Sequence, residues 1–202
     1  MRVFWLALAS FAVIVLGAVL IAWSGVVNVA ALGEPSTIEV AVLHPIMRQS
    51  VRTRANGIVT PADLSARAAK GSQDYSEMCA TCHGAPGVER NEIGQGLNPQ
   101  PPNLADAVQN WTPSQIFWIV KNGVRMTGMP AFGPTHDDDR IWAIVAFVQK
   151  LHGMTPDQYA QATSSADVSH PHEHDHGHAE HAHDQPGRGA EQPHTHSHEE
   201  GK

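Results

Sequence analysis

Both cysteines of the 202-residue chain fall in one pentapeptide, Cys79-Ala80-Thr81-Cys82-His83, and that spacing restricts the fold more than any other feature. Two thiols followed at once by an imidazole need a partner that can engage all three. A structural zinc site usually takes four N or S ligands, and no second cysteine pair exists to complete one. A thioredoxin-like dithiol belongs in a βαβ setting, which the flanking sequence lacks. A disulfide between residues this close would be strained and would close almost no loop. A c-type haem meets the requirement. The two thiols reach the two vinyl groups of one macrocycle, and the next residue then lies under the iron, making His83 the proximal ligand.

An iron held by one histidine needs a second axial group if it is to stay low-spin and only carry electrons. Thr127-Gly128-Met129-Pro130-Ala131-Phe132-Gly133 presents a thioether from a segment too punctuated for helix or strand. Proline restrains the backbone and glycine permits the turn. Met129 is expected to be the sixth ligand. Met126 is its local rival and lacks the adjacent proline.

Residues 61–152 resemble a class I, monohaem cytochrome c domain, close to the small bacterial cytochromes of the cbb3-oxidase subunit type. Gly71, Tyr75 and Cys79 are spaced by four and share one face of the helix entering the haem motif. The resemblance implies that Gly71 lets this helix cross the last one closely, with Phe147 as the partner aromatic of Tyr75. It also implies that the Pro102 carbonyl of Pro102-Asn103-Leu104 accepts a hydrogen bond from the His83 imidazole, setting its tautomer. The run from Thr112 to Asn122 matches the helix before the methionine loop, with Thr112 or Ser114 as its cap and Pro113 in its first turn. The expected fold is all-α: a class I cytochrome c fold around one covalent haem c.

Residue chemistry points the same way without the family. Asp137-Asp138-Asp139 opens a final helix at the positive end of its dipole. Apolar residues at 141, 144, 145 and 148 form a stripe, Lys150 sits in the last turn and Gly153 stops it. Trp111, Phe117, Trp118 and Trp142 are expected in the core or around the haem.

The flanks are of other material. Residues 1–32 form a membrane segment, because Val3 to Trp23 is 21 residues without a charge, enough for about 30 Å of helix. An uncleaved signal-anchor is favoured over a cleaved signal peptide, whose apolar region is shorter. Arg2 ahead of the span favours a cytoplasmic N-terminus. The haem domain then faces the periplasm of a bacterial inner membrane, the side on which c-type haem is attached. Residues 33–60 are a connector with Arg48, Arg52 and Arg54 among Ile46, Met47, Val51 and Ile58. An amphipathic helix on the membrane surface and a plain basic linker both suit it.

Residues 153–202 are expected to be a flexible tail. It holds ten of the 14 histidines: His170, His172, His174, His176, His178, His181, His183, His194, His196 and His198. So few apolar residues cannot offset the entropy of ordering. Imidazoles at this density are ligands for copper, nickel or zinc, and the alternative is a pH-responsive low-complexity tail.

The tail accounts for the whole net charge of −7, with nine acids against Arg188 and Lys202, while 61–152 has nine acids and seven bases. Strong electrostatic steering is not expected, and no basic patch suggests nucleic acid. The leading expectation is therefore a membrane-anchored one-electron carrier rather than an enzyme, in a respiratory or dehydrogenase-linked chain. Its partners would be a quinol-oxidising complex, a dehydrogenase or a terminal oxidase. Two alternatives stay open: a haem sensor or enzyme with an open sixth site, for which His136 is the nearby histidine though expected on the solvent side of its loop, and a haem protein coupled to metal on the tail.

Overall fold

The computed structural model describes residues 1–167. Among them the regular structure is helical, with only one isolated antiparallel bridge, Ala85 to Val88. Helix α1, Arg2–Trp23, has no buried residue. At 1.5 Å per residue it is about 33 Å long, and its unbroken apolar surface is of the length and kind that crosses a bilayer.

Helix α2, Thr37–Ala55, starts with a capping box: the Ser36 hydroxyl accepts from the Glu39 N–H at 3.2 Å, and the Glu39 carboxylate accepts from the Ser36 N–H at 2.7 Å. Its C-terminal half does not behave as a linker. Val51 and Ala55 are buried, and the Arg48 guanidinium lies 4.5 Å above the Trp111 ring while donating to Asn110 O at 3.3 Å. A cation over an indole face in this geometry is attractive and shields the ring from water. The basic-linker reading of 33–60 is thus replaced by a helix docked beside Trp111 on the packed body, with Arg48 turned inward.

Helix α3, Ala68–Asp74, runs through one π-helical turn, Tyr75–Cys79, into α4, Ala80–His83. Such wide turns are frequent at functional sites, and here the turn leads straight into the cysteine motif. Helix α3 crosses α8, Asp138–Lys150, at Gly71. A Cβ there would lie 2.7 Å from Ile144 N and nearer still to the Ala143 carbonyl. The crossing therefore tolerates only a hydrogen at this position. Beside it the Tyr75 and Phe147 rings sit 5.4 Å apart.

Residues 141–148 of α8 are all buried, so the stripe expected from the sequence is instead a helix enclosed on every side. Asp137 caps it by accepting from the Arg140 N–H at 2.8 Å. The Arg140 guanidinium forks onto the Asp74 carboxylate at 2.7 and 2.9 Å and ties α8 to α3. Helix α7, Pro113–Asn122, carries the capping box of Thr112 and Gln115. It stacks Phe117 on Trp142 at 4.2 Å between ring centroids.

A last helix, α9, Pro156–Asp167, lies inside the span expected to be tail. Tyr159 is 5 % exposed and packs 6.2 Å from both Tyr75 and Phe147. The packed body is thus wider than 61–152, at its N-terminal side through α2 and at its C-terminal side through α9. An aromatic anchor offsets the entropy that the polar sequence of α9 could not offset alone.

Candidate functional site

The site grows from the end of α4. Gly84 follows His83 with φ +68, a conformation that glycine adopts without strain, and its carbonyl accepts the buried Tyr75 hydroxyl at 2.7 Å. The chain thus reverses directly after His83. His83 Nδ1 lies 2.8 Å from Pro102 O. A carbonyl can only accept, so the proton sits on Nδ1 and Nε2 keeps the lone pair. Burial lowers the His83 pKa, opposed by the bond to Pro102 and helped by the charge of Arg90. The imidazole is accordingly neutral and ready to act as a ligand. Pro102 owes its place to the start of α6, Leu104–Ala107, where the Asn103 side chain accepts from the Ala105 N–H at 3.0 Å.

Both cysteines are free thiols, Cys79 buried and Cys82 half-buried. Burial, reinforced by the charges of Asp74 and Cys82, pushes the Cys79 pKa up to about 12. Helix α5, Glu92–Gln95, presses its backbone on this segment: a Cβ on Gly94 would come within 2.8 Å of Cys82 Cα and of Thr81 O. Asn91 caps α5 by accepting from the Gly94 N–H at 3.0 Å, and the Asn91 N–H donates back to Thr81 O at 3.0 Å.

The methionine loop is sewn onto α7. The Phe132 N–H donates to Val120 O at 3.1 Å and the Gly133 N–H to Lys121 O at 2.9 Å. Within the loop the Met129 N–H donates to Thr127 Oγ1 at 3.1 Å, and the Thr127 hydroxyl donates to Val124 O at 2.7 Å. Gly123, at φ +66, lets the loop close, since a Cβ there would meet Met129 O at 2.8 Å. Burial separates the two methionines. Met129 is partly buried against the core, whereas Met126 is 78 % exposed and stands at φ +62.

Sequence reasoning missed the brace between these segments. Leu97, just past α5, fills the space beside Gly128, where a Cβ would come 2.8 Å from Leu97 Cδ1. One short stretch, 91–97, thus touches the cysteine segment through Gly94 and the methionine loop through Leu97. The glycines at 94 and 96 around Ile93 and Leu97 were the available signal. The next residue, Asn98, donates its side-chain amide to Ala31 O at 3.1 Å and to Gly33 O, so the segment leaving α1 is bound at the same place.

His136 differs from expectation. It is half-buried, edge-on to Phe132 at 5.4 Å, with Nδ1 2.8 Å from Thr135 Oγ1 and Nε2 buried without a partner. The tail histidines from His170 to His198 lie outside the described residues. Among the described residues no group of three or more His, Cys, Asp or Glu is placed to hold a metal ion.

Two free thiols, a neutral imidazole with its proton fixed on the far nitrogen, and a restrained thioether turned toward the core fit a c-type haem. Comparison with known proteins agrees. Residues 66–148 match the family described as cytochrome C oxidase, cbb3-type, subunit III. The chain is similar to the cbb3-type cytochrome c oxidase subunit FixP of Rhizobium meliloti, 34 % identical over 91 residues, covering 42 % of this chain and 27 % of the relative. FixP of Azorhizobium caulinodans is also 34 % identical over 95 residues, covering 46 % and 30 % respectively. The chain thus spans less than a third of the length of these curated relatives.

Proposed function

We propose that this chain, a class I c-type cytochrome related through residues 66–148 to the cbb3-oxidase subunits, is a membrane-anchored one-electron carrier with His83 and Met129 as axial ligands. When bound, haem c supplies a single iron that alternates between Fe(II) and Fe(III). The residues of the chain hold and tune it. Cys79 and Cys82 form the thioethers, and the Pro102 carbonyl orients His83 and raises its basicity. Met129 would supply the second iron ligand from a loop bonded to α7 through the Phe132 and Gly133 amides. The observation that carries the reading is the inward packing of Met129 beside the brace that also supports Cys82.

The apolar length of α1 supports anchoring, and Arg2 ahead of it supports the periplasmic side for the haem domain. The relatives are subunits of a cbb3-type oxidase by name. A terminal oxidase of that kind is accordingly the proposed electron acceptor, with a quinol-oxidising complex or a dehydrogenase upstream and no catalysis by the chain itself.

Optical spectroscopy of the haem-loaded protein tests the ligation. The oxidised wild type should be low-spin with a weak far-red sulfur-to-iron band, unchanged in Met126→Ala and lost in Met129→Ala. A high-spin wild type that binds carbon monoxide readily would refute the closed site and make the sensor or enzyme reading the better one.

A further inference from the structure

Helix α2 has two faces, and only one of them is used by the haem domain. Val51 and Ala55 are buried against it, with Met47 and Arg48 on the same side. An α-helix turns about 100° per residue, so Val42, nine positions before Val51, points the opposite way. Ile38 and Ile46 stand four residues to either side of Val42 on that outer face. Ile38, Val42 and Ile46 are 77 %, 51 % and 59 % exposed. A shallow concavity of about 490 Å³ beside Pro45, lined also by Ile46, Gln49 and Thr53, continues the face. Val40 and Leu43 are exposed as well, so this half of α2 carries five exposed aliphatic side chains, and the three in line face away from the docked side.

We infer that the outer face of the N-terminal half of α2 lies in the interface of an anionic lipid bilayer. Three observations select lipid as the occupant. The membrane helix α1 ends at Trp23 and the α2 cap is Ser36, so only a short segment separates the face from the bilayer. That segment exposes apolar side chains of its own, Val26, Val27, Val29 and Leu32. Arg52 is exposed and flanks the outer face between one and two turns beyond Ile46. That is where a helix rising out of the acyl region would meet phosphate headgroups. Arg48 takes no part, being committed to Trp111. The helix then acts as a two-sided bracket. Its apolar face sits in lipid and its docked face fixes the orientation of the haem domain above the membrane.

The inference rests on α1 being a membrane span, and the test separates the two. In the haem-loaded protein Cys79 and Cys82 are thioethers, so a single introduced cysteine can carry a nitroxide spin label. Val13→Cys, Val42→Cys and His44→Cys place labels on α1, on the outer face of α2 and on its docked side, all at exposed positions. The full chain is reconstituted in vesicles of phosphatidylcholine and of phosphatidylcholine with phosphatidylglycerol at about three to one. Collision of each label with oxygen, which concentrates in lipid, and with a water-soluble nickel chelate is read by EPR power saturation.

The expected result is oxygen-dominated collision at 13 and 42, nickel-dominated collision at 44, and a greater oxygen-to-nickel ratio at 42 in the anionic vesicles. A label at 42 dominated by nickel while 13 reads as lipid overturns the inference and leaves the span intact. A label at 42 shielded from both reagents also overturns it, in favour of contact with a second copy. Nickel-dominated collision at 13 overturns the span itself.

Discussion

Replacing Gly71 by alanine tests the reasoning about the helix crossing, because two effects of opposite sign compete. In a helix interior alanine is preferred over glycine by about 1 kcal/mol, so propensity alone predicts a more stable protein. Packing predicts the reverse. The new Cβ would lie 2.7 Å from Ile144 N and closer to the Ala143 carbonyl, where ordinary contact begins near 3.4 Å. Both obstacles are backbone and the carbonyl is the nearer, so α3 and α8 must separate by more than about 1 Å along their crossing. A gap of about 0.5–1 Å forfeits a quarter to a half of the dispersion well of each contact it opens, and Tyr75, Phe147 and Tyr159 all pack at this crossing. Overpacking costs about 1–3 kcal/mol where side chains can yield, and more against a backbone wall. After the propensity gain is subtracted, a net loss of about 2–3 kcal/mol remains. For a domain of this size that is a fall in Tm of roughly 8–15 °C. Thermal melts of the haem-loaded protein, followed at the Soret band, measure it. Gly96→Ala is the control, since its Cβ would make only ordinary contacts. A Gly71→Ala protein that melts at or above the wild-type temperature would show that propensity wins and that the crossing is looser than described.

Three further outcomes follow from named contacts. Arg48→Ala should cost about 1 kcal/mol through the lost cation–π contact and hydrogen bond, and should speed amide hydrogen exchange at Val51 and Ala55 far more than in α8; equal protection in both proteins would mean that Arg48 does not hold α2 down. Arg140→Ala should destabilise by about 1–3 kcal/mol, because it strands the buried Asp74 carboxylate, discounted for the half-exposed guanidinium. Arg140→Ala combined with Asp74→Ala should recover part of that loss, and a urea titration that shows no recovery would refute the pairing. The Glu39 pKa lies below the ordinary 4.5, chiefly through the hydrogen bonds from Ser36. A folded pKa depressed in this way means that the first turn of α2 is held fully above pH 4.5 and is released as pH falls through the lower folded value. Exchange at the Glu39 and Val40 amides should therefore accelerate below that pH once the intrinsic rate is corrected, and the dependence should vanish in Glu39→Gln.

Motif spacing and punctuation made much of the site legible. The spacing of Cys79, Cys82 and His83 pointed to a covalent haem, and the match of residues 66–148 to the cbb3-type subunit family supports that cofactor. The capped starts at Thr112 and Asp137 are local events, settled within one helical turn, and stand where the residues put them. The Gly71 crossing and the Pro102 carbonyl were expected only through resemblance, since spacing does not say which distant backbone a glycine will meet. The brace of Gly94 and Leu97 went unseen for the same reason: each residue matters only for what lies against it.

By itself, then, the sequence determined the helical class, the haem chemistry and the apolar length of α1, all of which depend on residues near one another along the chain. The tertiary structure decided which surfaces those helices share. It made Arg48, which the sequence left open between a lipid-facing helix and a basic linker, a partner of Trp111, drew α9 into the core through Tyr159, and separated Met129 from Met126 by burial. Each of these is a contact between segments far apart in sequence. Its energy comes from excluding water between two surfaces, a quantity that belongs to neither sequence segment until the two are packed together.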